Sequence, residues 1–258
     1  MHWRDLAEHV RRTVGQVDAL IVDAPYSERT HAGHDSGVDS GQDTYNGKPS
    51  KSTPALGRRS LAYGHWTESD VGDFVSTWSP IARGWIVSLT DHALALPWID
   101  TMESVGRYSF APIACVESGS RVRLVGDGPP TWATWLCVSR PRSVEWARWA
   151  TIENRAARGV DAMPGAYVVP PGHHDRKDVV GGKSLWLMER LVEDYTRPGD
   201  LVCDPCMGAG TTLLAAKLLG RRYIGGDLDE KHVEIARERL RDMPAAPKKG
   251  TLALPWEK

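Results

Sequence analysis

A glycine-rich stretch gives the sharpest chemical signal in this sequence. Residues 204–212 read DPCMGAGTT, between a predicted strand that ends at Asp204 and a predicted helix that follows Gly210. Glycines at 208 and 210 let the backbone approach a ligand with no Cβ in the way. No Lys-Ser/Thr pair follows them, which excludes a P-loop, and the third glycine of the dinucleotide-binding fingerprint is missing.

Two acids flank this turn. Asp204 at the tip of the strand suggests a cationic ligand group, and Asp227 closes the next predicted strand, in YIGGDLD. An acid at that second position accepts hydrogen bonds from ribose hydroxyls in nucleoside-binding sheets. A cation near one acid and a ribose near the other fit S-adenosylmethionine better than a pyrophosphate cofactor. A plain strand–turn–helix connection is the alternative, and it would be favoured if the glycines stood alone.

A second motif lies near the start of the sequence. The apolar run 19–22 is closed by DAPY at residues 23–26, which predicts a buried strand that ends in a turn. Residues 27–64 are rich in Gly, Ser, Asp and Thr without a sustained period, and they predict a long functional loop.

The remaining elements predict the sheet that must position these motifs. A helix is predicted from its N-cap at Thr67, and a second one is predicted over residues 93–104 despite Pro97. Residues 164–175, PGAYVVPPGHHD, predict a Pro/Gly loop. From Lys183 onward, helices and strands alternate. This alternation predicts an α/β fold with a doubly wound, mostly parallel sheet.

Composition excludes several classes of protein. The 258 residues carry a net charge of −1 with 41% hydrophobic and 25% charged residues, which argues against disorder and against a histone-like binder. No apolar run is long enough to cross a bilayer, and four cysteines are too few for a disulfide scaffold, so we expect a cytoplasmic protein. The sequence has eleven Trp but only two Phe. The tryptophans could supply stacking surfaces for a ligand, or they could simply fill the hydrophobic core.

Together the two motifs resemble those of the class I S-adenosylmethionine-dependent DNA amino-methyltransferases. Residues 204–212 are similar to the family's cofactor motif, DPF-x-GSGTT, and residues 23–26 to its catalytic motif, DPPY or SPPY. The catalytic motif comes first along the chain, which is the permuted order of the β class. The resemblance therefore implies a Rossmann-like class I methyltransferase fold.

The resemblance also implies how the chain is divided. We expect a single methyltransferase domain over residues 1–258. It would comprise a catalytic half (1–140), a small target-recognition insertion (141–180) and a cofactor-binding half (181–258).

The resemblance implies a role for each residue of the catalytic motif. The lone pair of an exocyclic base amine is delocalised into the ring, and accepting hydrogen bonds from its N–H groups localises that pair. The Asp23 carboxylate and the Ala24 carbonyl would accept them. Pro25 would restrict Ala24 to an extended conformation, and Tyr26 would stack on a flipped base. Ala24 stands where the family has its first proline, which leaves the carbonyl role intact.

The implied cofactor contacts lie in the second half of the chain. They are Lys183, Ser184, Asp204, Pro205, Cys206, Met207, Gly208, Gly210, Thr211, Thr212, Asp227 and Leu228. Cys206 replaces the family's usual Phe and Ser184 its usual Pro, departures that bear on efficiency more than on reaction type.

Basic segments supply the candidates for contacts with DNA. One lies in the loop after the catalytic motif, and the other is interleaved with tryptophans in the insertion. The candidates are Lys48, Lys51, Arg58, Arg59, Arg140, Arg142, Arg148 and Trp149. A solvated helix whose tryptophans, Trp146 among them, pack on the core is an equally good interpretation of the second segment. Phosphate contacts would position the enzyme without setting its specificity.

The sequence thus predicts a site-specific DNA methyltransferase that methylates the N6 amine of adenine after base flipping, because position 23 is Asp rather than Ser. N4 of cytosine is the alternative, followed by an RNA or protein methyltransferase and an inactive DNA-binding relative. Double-stranded DNA is the expected partner, and a bacterial, archaeal or phage origin is implied. A homodimer, a partner restriction endonuclease and a restriction-modification context stay open. No metal is expected, since lone His pairs in loops are usually solvated.

Overall fold

The computed structural model describes residues 1–35, 44–45, 48–49, 63–117, 132–143, 146, 163–170 and 182–242. For residues 32–35, 44–45 and 48–49 it describes the backbone alone. No helix in these ranges is long and apolar enough to cross a bilayer.

Strands and helices alternate along most of the described chain. The strands are β1 (Val17–Asp23), β2 (Thr44–Tyr45), β3 (Lys48–Pro49), β4 (Ala82–Thr90), β5 (Tyr108–Ser109), β6 (Ile113–Val116), β7 (Ala133–Arg140), β8 (Ala166–Val168), β9 (Leu201–Asp204) and β10 (Arg222–Gly225). The helices are α1 (Trp3–Thr13), α2 (Glu28–Asp35), α3 (Glu68–Trp78), α4 (Ala95–Ser104), α5 (Leu185–Tyr195), α6 (Thr211–Leu218) and α7 (Glu230–Asp242).

One large sheet has the strand order β10-β9-β1-β4-β7-β6-β8, with β5 paired to β7. The four neighbours β10, β9, β1 and β4 are parallel, whereas β7 runs antiparallel to β4 and β6. The chain leaves β1 toward β4 and leaves β9 toward β10, so the strand order reverses between β9 and β1. Ligands of open α/β sheets bind outside the carboxyl ends of the strands at such a switch point.

Helices cover both faces of the sheet, as a doubly wound fold requires. Helices α1, α3 and α4 pack on one face, where Leu20 and Val22 of β1 join the core. Helices α5 and α6 pack on the other face, against Ala19 and Ile21 of the same strand. Because β1 is buried on both faces, its sequence is a continuous apolar run rather than an alternating one.

The predicted helix starts follow their local chemistry. Thr67 caps α3 in a capping box with Asp70, as predicted. Pro97 occupies the third position of α4, within the first turn, where its missing N–H has no intrahelical partner to lose.

Many of the tryptophans fill the core. The indoles of Trp3, Trp66, Trp78, Trp85 and Trp98 are buried, which favours the core-filler interpretation of the composition for these five.

Two predictions of irregular structure were wrong. The segment 27–64 contains helix α2 and the short strands β2 and β3, although it lacks an apolar period. The predicted loop 164–175 contains strand β8, which pairs in parallel with β6 and places Tyr167 in the core. Three residues between prolines carry too short a pattern to show a strand. The strand makes part of the expected insertion 141–180 an element of the sheet, while the division itself stays a prediction.

Strand β8 yields a test of this corrected assignment. The Tyr167 hydroxyl donates a 2.8 Å hydrogen bond to Asp194 Oδ2 of α5, and both residues are buried. We expect Tyr167→Phe to lower the free energy of unfolding by about 1–3 kcal/mol, because a buried carboxylate loses a donor. Denaturant unfolding measures this change. The control Tyr223→Phe, on an exposed strand position, should change it by less than about 0.5 kcal/mol. Equal effects of the two variants would contradict the placement of β8.

Candidate active site at the carboxyl edge of the sheet

Four aspartates mark the carboxyl ends of the four parallel strands. Asp23 ends β1 and Asp204 ends β9, while Asp91 and Asp227 follow the last residues of β4 and β10. A cavity of about 290 Å³ lies at this edge, within reach of three of them, Asp23, Asp204 and Asp227. Its lining also includes Pro25, Lys183, Pro205, Cys206, Met207, Gly208, Thr211, Thr212 and Leu228. The structure thus brings the two predicted motifs, 180 residues apart in sequence, to one cavity.

Asp23 is held by two side chains. Tyr26 Oη donates to Asp23 Oδ1 at 3.1 Å, and Lys183 Nζ contacts Asp23 Oδ2 at 2.9 Å. The Tyr26 ring lies beneath this ammonium, 5.0 Å from Nζ to the ring centroid, in a cation–π arrangement. The backbone carbonyl of Tyr26 accepts a 2.9 Å hydrogen bond from the N–H of Trp66.

The position of Lys183 adds to its predicted role. The resemblance implies a contact with the cofactor, which stays a prediction, and the structure adds an ion pair with Asp23, the predicted catalytic acid, beside the same cavity. The Lys183 side chain is only 10% exposed. Burial lowers the pKa of its ammonium, but the attraction of Asp23 and Tyr26 outweighs burial and the net shift is upward. Lys183 is therefore a permanent cation at this site.

The glycine turn has the backbone that its sequence predicts. Gly208 and Gly210 have φ angles of +50° and +75°, a region that side chains rarely adopt. A Cβ at Gly210 would lie 2.7 Å from the Cβ of Ala236 in α7. Arg239 of the same helix donates to the Ala209 carbonyl at 2.8 Å. Helix α7 therefore fixes the turn from outside, and the cavity lies on its inner side.

Asp204 is almost completely buried at the base of the cavity. Its side chain is 1% exposed and accepts a 3.0 Å hydrogen bond from the N–H of Cys206. Burial raises its pKa to about 7, against hydrogen bonds from Thr212 and Cys206 that lower it, and the nearby Asp23 and Asp227 raise it further. A buried carboxyl group in a cavity with a strongly shifted pKa is typical of a functional site.

Asp227 binds the turn itself. Its Oδ2 accepts from Gly208 N at 2.9 Å, and its Oδ1 accepts from Asp229 N at 2.9 Å and lies 3.2 Å from His232 Nδ1. A carboxylate has about four acceptor positions, so a hydroxyl of a ligand could still be accommodated. The ribose contact stays a prediction.

The other predicted cofactor residues differ in exposure. Leu228 is 63% exposed at the rim, and its open apolar side chain is available to a flat ring. Ser184 is buried, and its hydroxyl accepts from Leu187 N at 3.3 Å as the N-cap of α5. Its role in the structure is therefore to start that helix. Burial raises the pKa of the Cys206 thiol, so it faces the cavity as a neutral group.

The predicted DNA contacts separate into two groups. Lys51, Arg58, Arg59, Arg148 and Trp149 lie outside the described residues, as does the side chain of Lys48. Arg140 ends the antiparallel strand β7, five residues or roughly 17 Å beyond Trp135, which pairs with Thr90 near the site. The structure thus places Arg140 toward the opposite edge of the sheet.

The side chains around Arg140 have local partners. The guanidinium of Arg140 lies 4.5 Å from the centroid of the Tyr108 ring, and that of Arg142 lies 5.8 Å from it. Trp146 packs against Gly84 and the core, as the alternative interpretation of that segment predicted. These positions do not support contacts of Arg140 or Arg142 with a base held at Asp23.

Sequence reasoning missed several residues of the site. Tyr63, His65 and Trp66 line the cavity from the segment after the long loop, and His2 and Trp3 line it from the start of α1. Asp91 was missed as well, although an acid directly after the buried strand GWIVSLT repeats the pattern seen at Asp23 and Asp204. Within the described residues, no group of three or more His, Cys, Asp or Glu side chains is arranged to hold a metal ion.

Comparison with known proteins matches the part of the chain that carries Lys183, the glycine turn and Asp227. Residues 170–238 match the family model described as DNA methylase. A type II methyltransferase of Streptococcus pneumoniae, M2.DpnII, is 47% identical over 58 residues, which cover 22% of this chain and 22% of that protein. M.HinfI of Haemophilus influenzae is 39% identical over 61 residues, 24% of this chain and 17% of the relative. The matched segments thus span about a fifth of the curated relatives' length.

Solved structures extend the likeness to the whole fold. The M1.HpyAVI–SAM complex has a TM-score of 0.65 at 19% identity and covers 93% of this chain and 96% of its own. The resemblance to DNA amino-methyltransferases is confirmed. The PvuII DNA methyltransferase, described as cytosine-N4-specific, has a TM-score of 0.57 at 14% identity and covers 87% of this chain and 79% of its own. The chain therefore has the class I, Rossmann-like methyltransferase fold, with the predicted permuted order of its two motifs.

The buried acid of the site predicts a pH-dependent stability. The pKa of Asp204 is 3.8 in the unfolded chain and about 7 in the folded one, so the folded state holds the proton between those values. Rising pH across this window must therefore lower the free energy of unfolding. We expect Asp204→Asn, which keeps the shape without the charge, to gain stability relative to the wild type from about pH 4 to about pH 7.

Urea unfolding at several pH values tests this expectation. The difference between Asp204→Asn and the wild type should change by up to a few kcal/mol, since each pKa unit is worth about 1.4 kcal/mol. The control Asp73→Asn, at an exposed carboxylate, should show almost no such change. A pH-independent difference for Asp204→Asn would contradict the raised pKa.

Proposed function

We propose that this chain is a DNA methyltransferase that transfers a methyl group from S-adenosylmethionine to the N6 amine of adenine. The observation that carries the proposal is that Asp23 and Pro25 of the DAPY motif and residues 204–209 of the glycine turn line one cavity. The sequence relatives are named as DNA-modifying methyltransferases, and one structural neighbour is named as a complex with the same cofactor.

The residues present fit this cofactor. Asp204 offers a buried carboxylate to a cationic group, and the glycine turn offers backbone that a side chain would obstruct. Asp227 and the exposed Leu228 line the same cavity, and in this proposal they contact the nucleoside of the cofactor. The cavity of about 290 Å³ is near the lower end of the range for small-molecule sites. The cofactor supplies a methyl group on a positively charged sulfur.

The chain's own residues then act on the target amine. The Asp23 carboxylate accepts a hydrogen bond from the amine, which localises the nitrogen lone pair toward the methyl donor. The Ala24 carbonyl accepts a second one, and Pro25 restricts the backbone that aims it. The Tyr26 ring stacks on the flipped base. Catalysis in this scheme is positioning and electrostatics, and it requires no strong base.

Adenine is favoured over cytosine by the acid at position 23, and double-stranded DNA is the proposed substrate. N4 of cytosine is the second candidate, because the same acceptors serve either amine and one structural neighbour is described as cytosine-N4-specific. A homodimer or a partner endonuclease would be compatible with either target.

Asp23 provides the direct test. We expect Asp23→Ala to reduce methyl transfer to duplex DNA by at least about 10²-fold, because the amine loses its charged acceptor. Its affinity for S-adenosylmethionine should stay within a few-fold of the wild type. Transfer of labelled methyl groups and calorimetric titration measure the two quantities. Asp100→Ala, at an exposed acid on α4, serves as the control and should retain full activity.

The target base is identified in the same series. The wild type and Asp23→Ala are expressed in a host free of DNA methylation, and modified bases are mapped by single-molecule sequencing. N6-methyladenine in a defined sequence context would support the proposal. N4-methylcytosine would show that the second candidate, the N4 amine of cytosine, is the target. Cofactor binding without transfer to any DNA would refute the assignment as a DNA methyltransferase.

Substitutions of Lys183 distinguish two roles for this residue, holding Asp23 and contacting the cofactor. If the lysine mainly holds Asp23, Lys183→Met should lower the single-turnover rate at least about tenfold more than it weakens cofactor binding, because Asp23 loses its 2.9 Å partner. Lys183→Arg keeps the charge and should recover part of the rate. A loss confined to cofactor affinity would instead assign Lys183 to the cofactor alone.

A further inference from the structure

Asp91 is a buried acid with an unusual number of donors. Its side chain follows β4 at the same edge as Asp23, and the residue is 6% exposed. Oδ2 accepts from Ser27 N at 3.0 Å and from the hydroxyls of Ser27 and Thr30, each at 2.5 Å. Oδ1 accepts from Ala93 N at 3.1 Å and Leu94 N at 3.2 Å. These bonds outweigh burial, and the pKa of Asp91 is lowered.

The two oxygens of Asp91 join two different parts of the molecule. Oδ1 binds the turn that leads into α4, a helix anchored in the core by the fully buried Trp98 and Met102. Oδ2 binds the first residues after the DAPY motif. A single side chain thus connects the core helix α4 to the start of α2, directly after Tyr26.

The turn before α4 does not require a charged side chain at position 91. A Ser or Asn oxygen could accept from Ala93 and Leu94, as capping side chains commonly do. A carboxylate has a second acceptor oxygen, and in Asp91 this oxygen, Oδ2, accepts from the three donors of Ser27 and Thr30. Burying a charge is costly unless it is fully hydrogen-bonded. The donors of Ser27 and Thr30 therefore explain why a charged side chain, rather than a neutral one, is buried at position 91.

The loop is restrained from its other side as well. Ser27 forms an isolated parallel bridge with Trp66, and Trp66 N donates to the Tyr26 carbonyl. The residues after Asp23 are thus held between Trp66 and Asp91, immediately beside the ring of Tyr26.

We propose that Asp91 is the positioning residue of the catalytic motif: it fixes Ser27 and Thr30 and thereby sets the place of Tyr26 and of the base that stacks on it. This inference rests on the proposed function. It assigns to Asp91 no contact with the base or with the cofactor. Because a misplacement of about 1 Å can cost about 10² in rate, the role should appear in the chemical step and not in cofactor binding.

The test compares Asp91→Asn with Asp18→Asn. Asp18 is a buried acid of the same sheet at its amino edge, where it accepts from Leu201 N at 2.8 Å and pairs with Arg83. We expect Asp91→Asn to lower the single-turnover rate of methyl transfer about 10- to 100-fold, with an unchanged affinity for S-adenosylmethionine. Asp18→Asn should lower the melting temperature and leave that rate within about twofold. Equal loss of rate in both variants, or none in Asp91→Asn, would overturn the proposal.

A double-mutant cycle asks whether Asp91 acts through the loop. Ser27→Ala combined with Thr30→Val removes both hydroxyl donors and keeps the side-chain volumes similar. If Asp91 works through them, the combined variant should lose much less rate than the product of the separate losses. Fully multiplicative effects would show that Asp91 acts elsewhere.

Hydrogen exchange supplies a readout that needs no activity. Amides of residues 23–31 should exchange at least about tenfold faster in Asp91→Asn than in Asp18→Asn. Unchanged exchange in this segment would refute the positioning role. A wild type that transfers no methyl group, together with faster exchange in Asp91→Asn, would refute the proposed function while supporting the positioning of the loop.

Discussion

The site depends on one geometric constraint, which is that four parallel strands end at the same edge. Asp23, Asp91, Asp204 and Asp227 meet there because the register of β10, β9, β1 and β4 aligns their carboxyl ends. Of these four acids, Asp23, Asp204 and Asp227 line one cavity, where Asp23 and Asp227 add to the effect of burial in raising the pKa of Asp204. The structure compensates three of them internally: Lys183 neutralises Asp23, while backbone N–H groups and hydroxyls or a histidine hold Asp91 and Asp227. Asp204 is the most deeply buried of the four, and burial raises its pKa further than the hydrogen bonds from Thr212 and Cys206 lower it.

Sequence patterns anticipated the parts of the site that rest on local chemistry. The turn through Gly208 and Gly210 and the buried strand before Asp23 follow from the residues themselves. The Lys183–Asp23 pair could not be anticipated in this way, because it joins residues 160 positions apart through the pairing of β1 with β9. The placement of Arg140 depends on the antiparallel direction of β7, which composition does not reveal. Strand β8 was missed because its pattern is too short.

The catalytic motif is stabilised from outside the motif itself. Its tyrosine contacts Lys183, which directly precedes the N-cap of α5, and Trp66, in the segment before α3. Asp91 binds the next residue, Ser27. Ala24 stands where the similar motif DPPY has its first proline, so the backbone has one local restraint fewer there. Contacts from three separate elements can supply the rigidity that a second proline would give. In this protein, long-range packing thus does what a second proline would do locally.

The pairing of β1 with β9 also determines how late in synthesis the site can form. Ala19 pairs with Val202 and Leu20 with Cys203, so one side of the central strand waits for residues made some 180 positions later. Until they arrive, an apolar strand has an open edge, which is the kind of surface that invites mispairing between chains. Non-local pairing of this kind also slows folding. Cold expression or a chaperone that covers β1 should therefore raise the yield of folded protein more than changes at the cavity would.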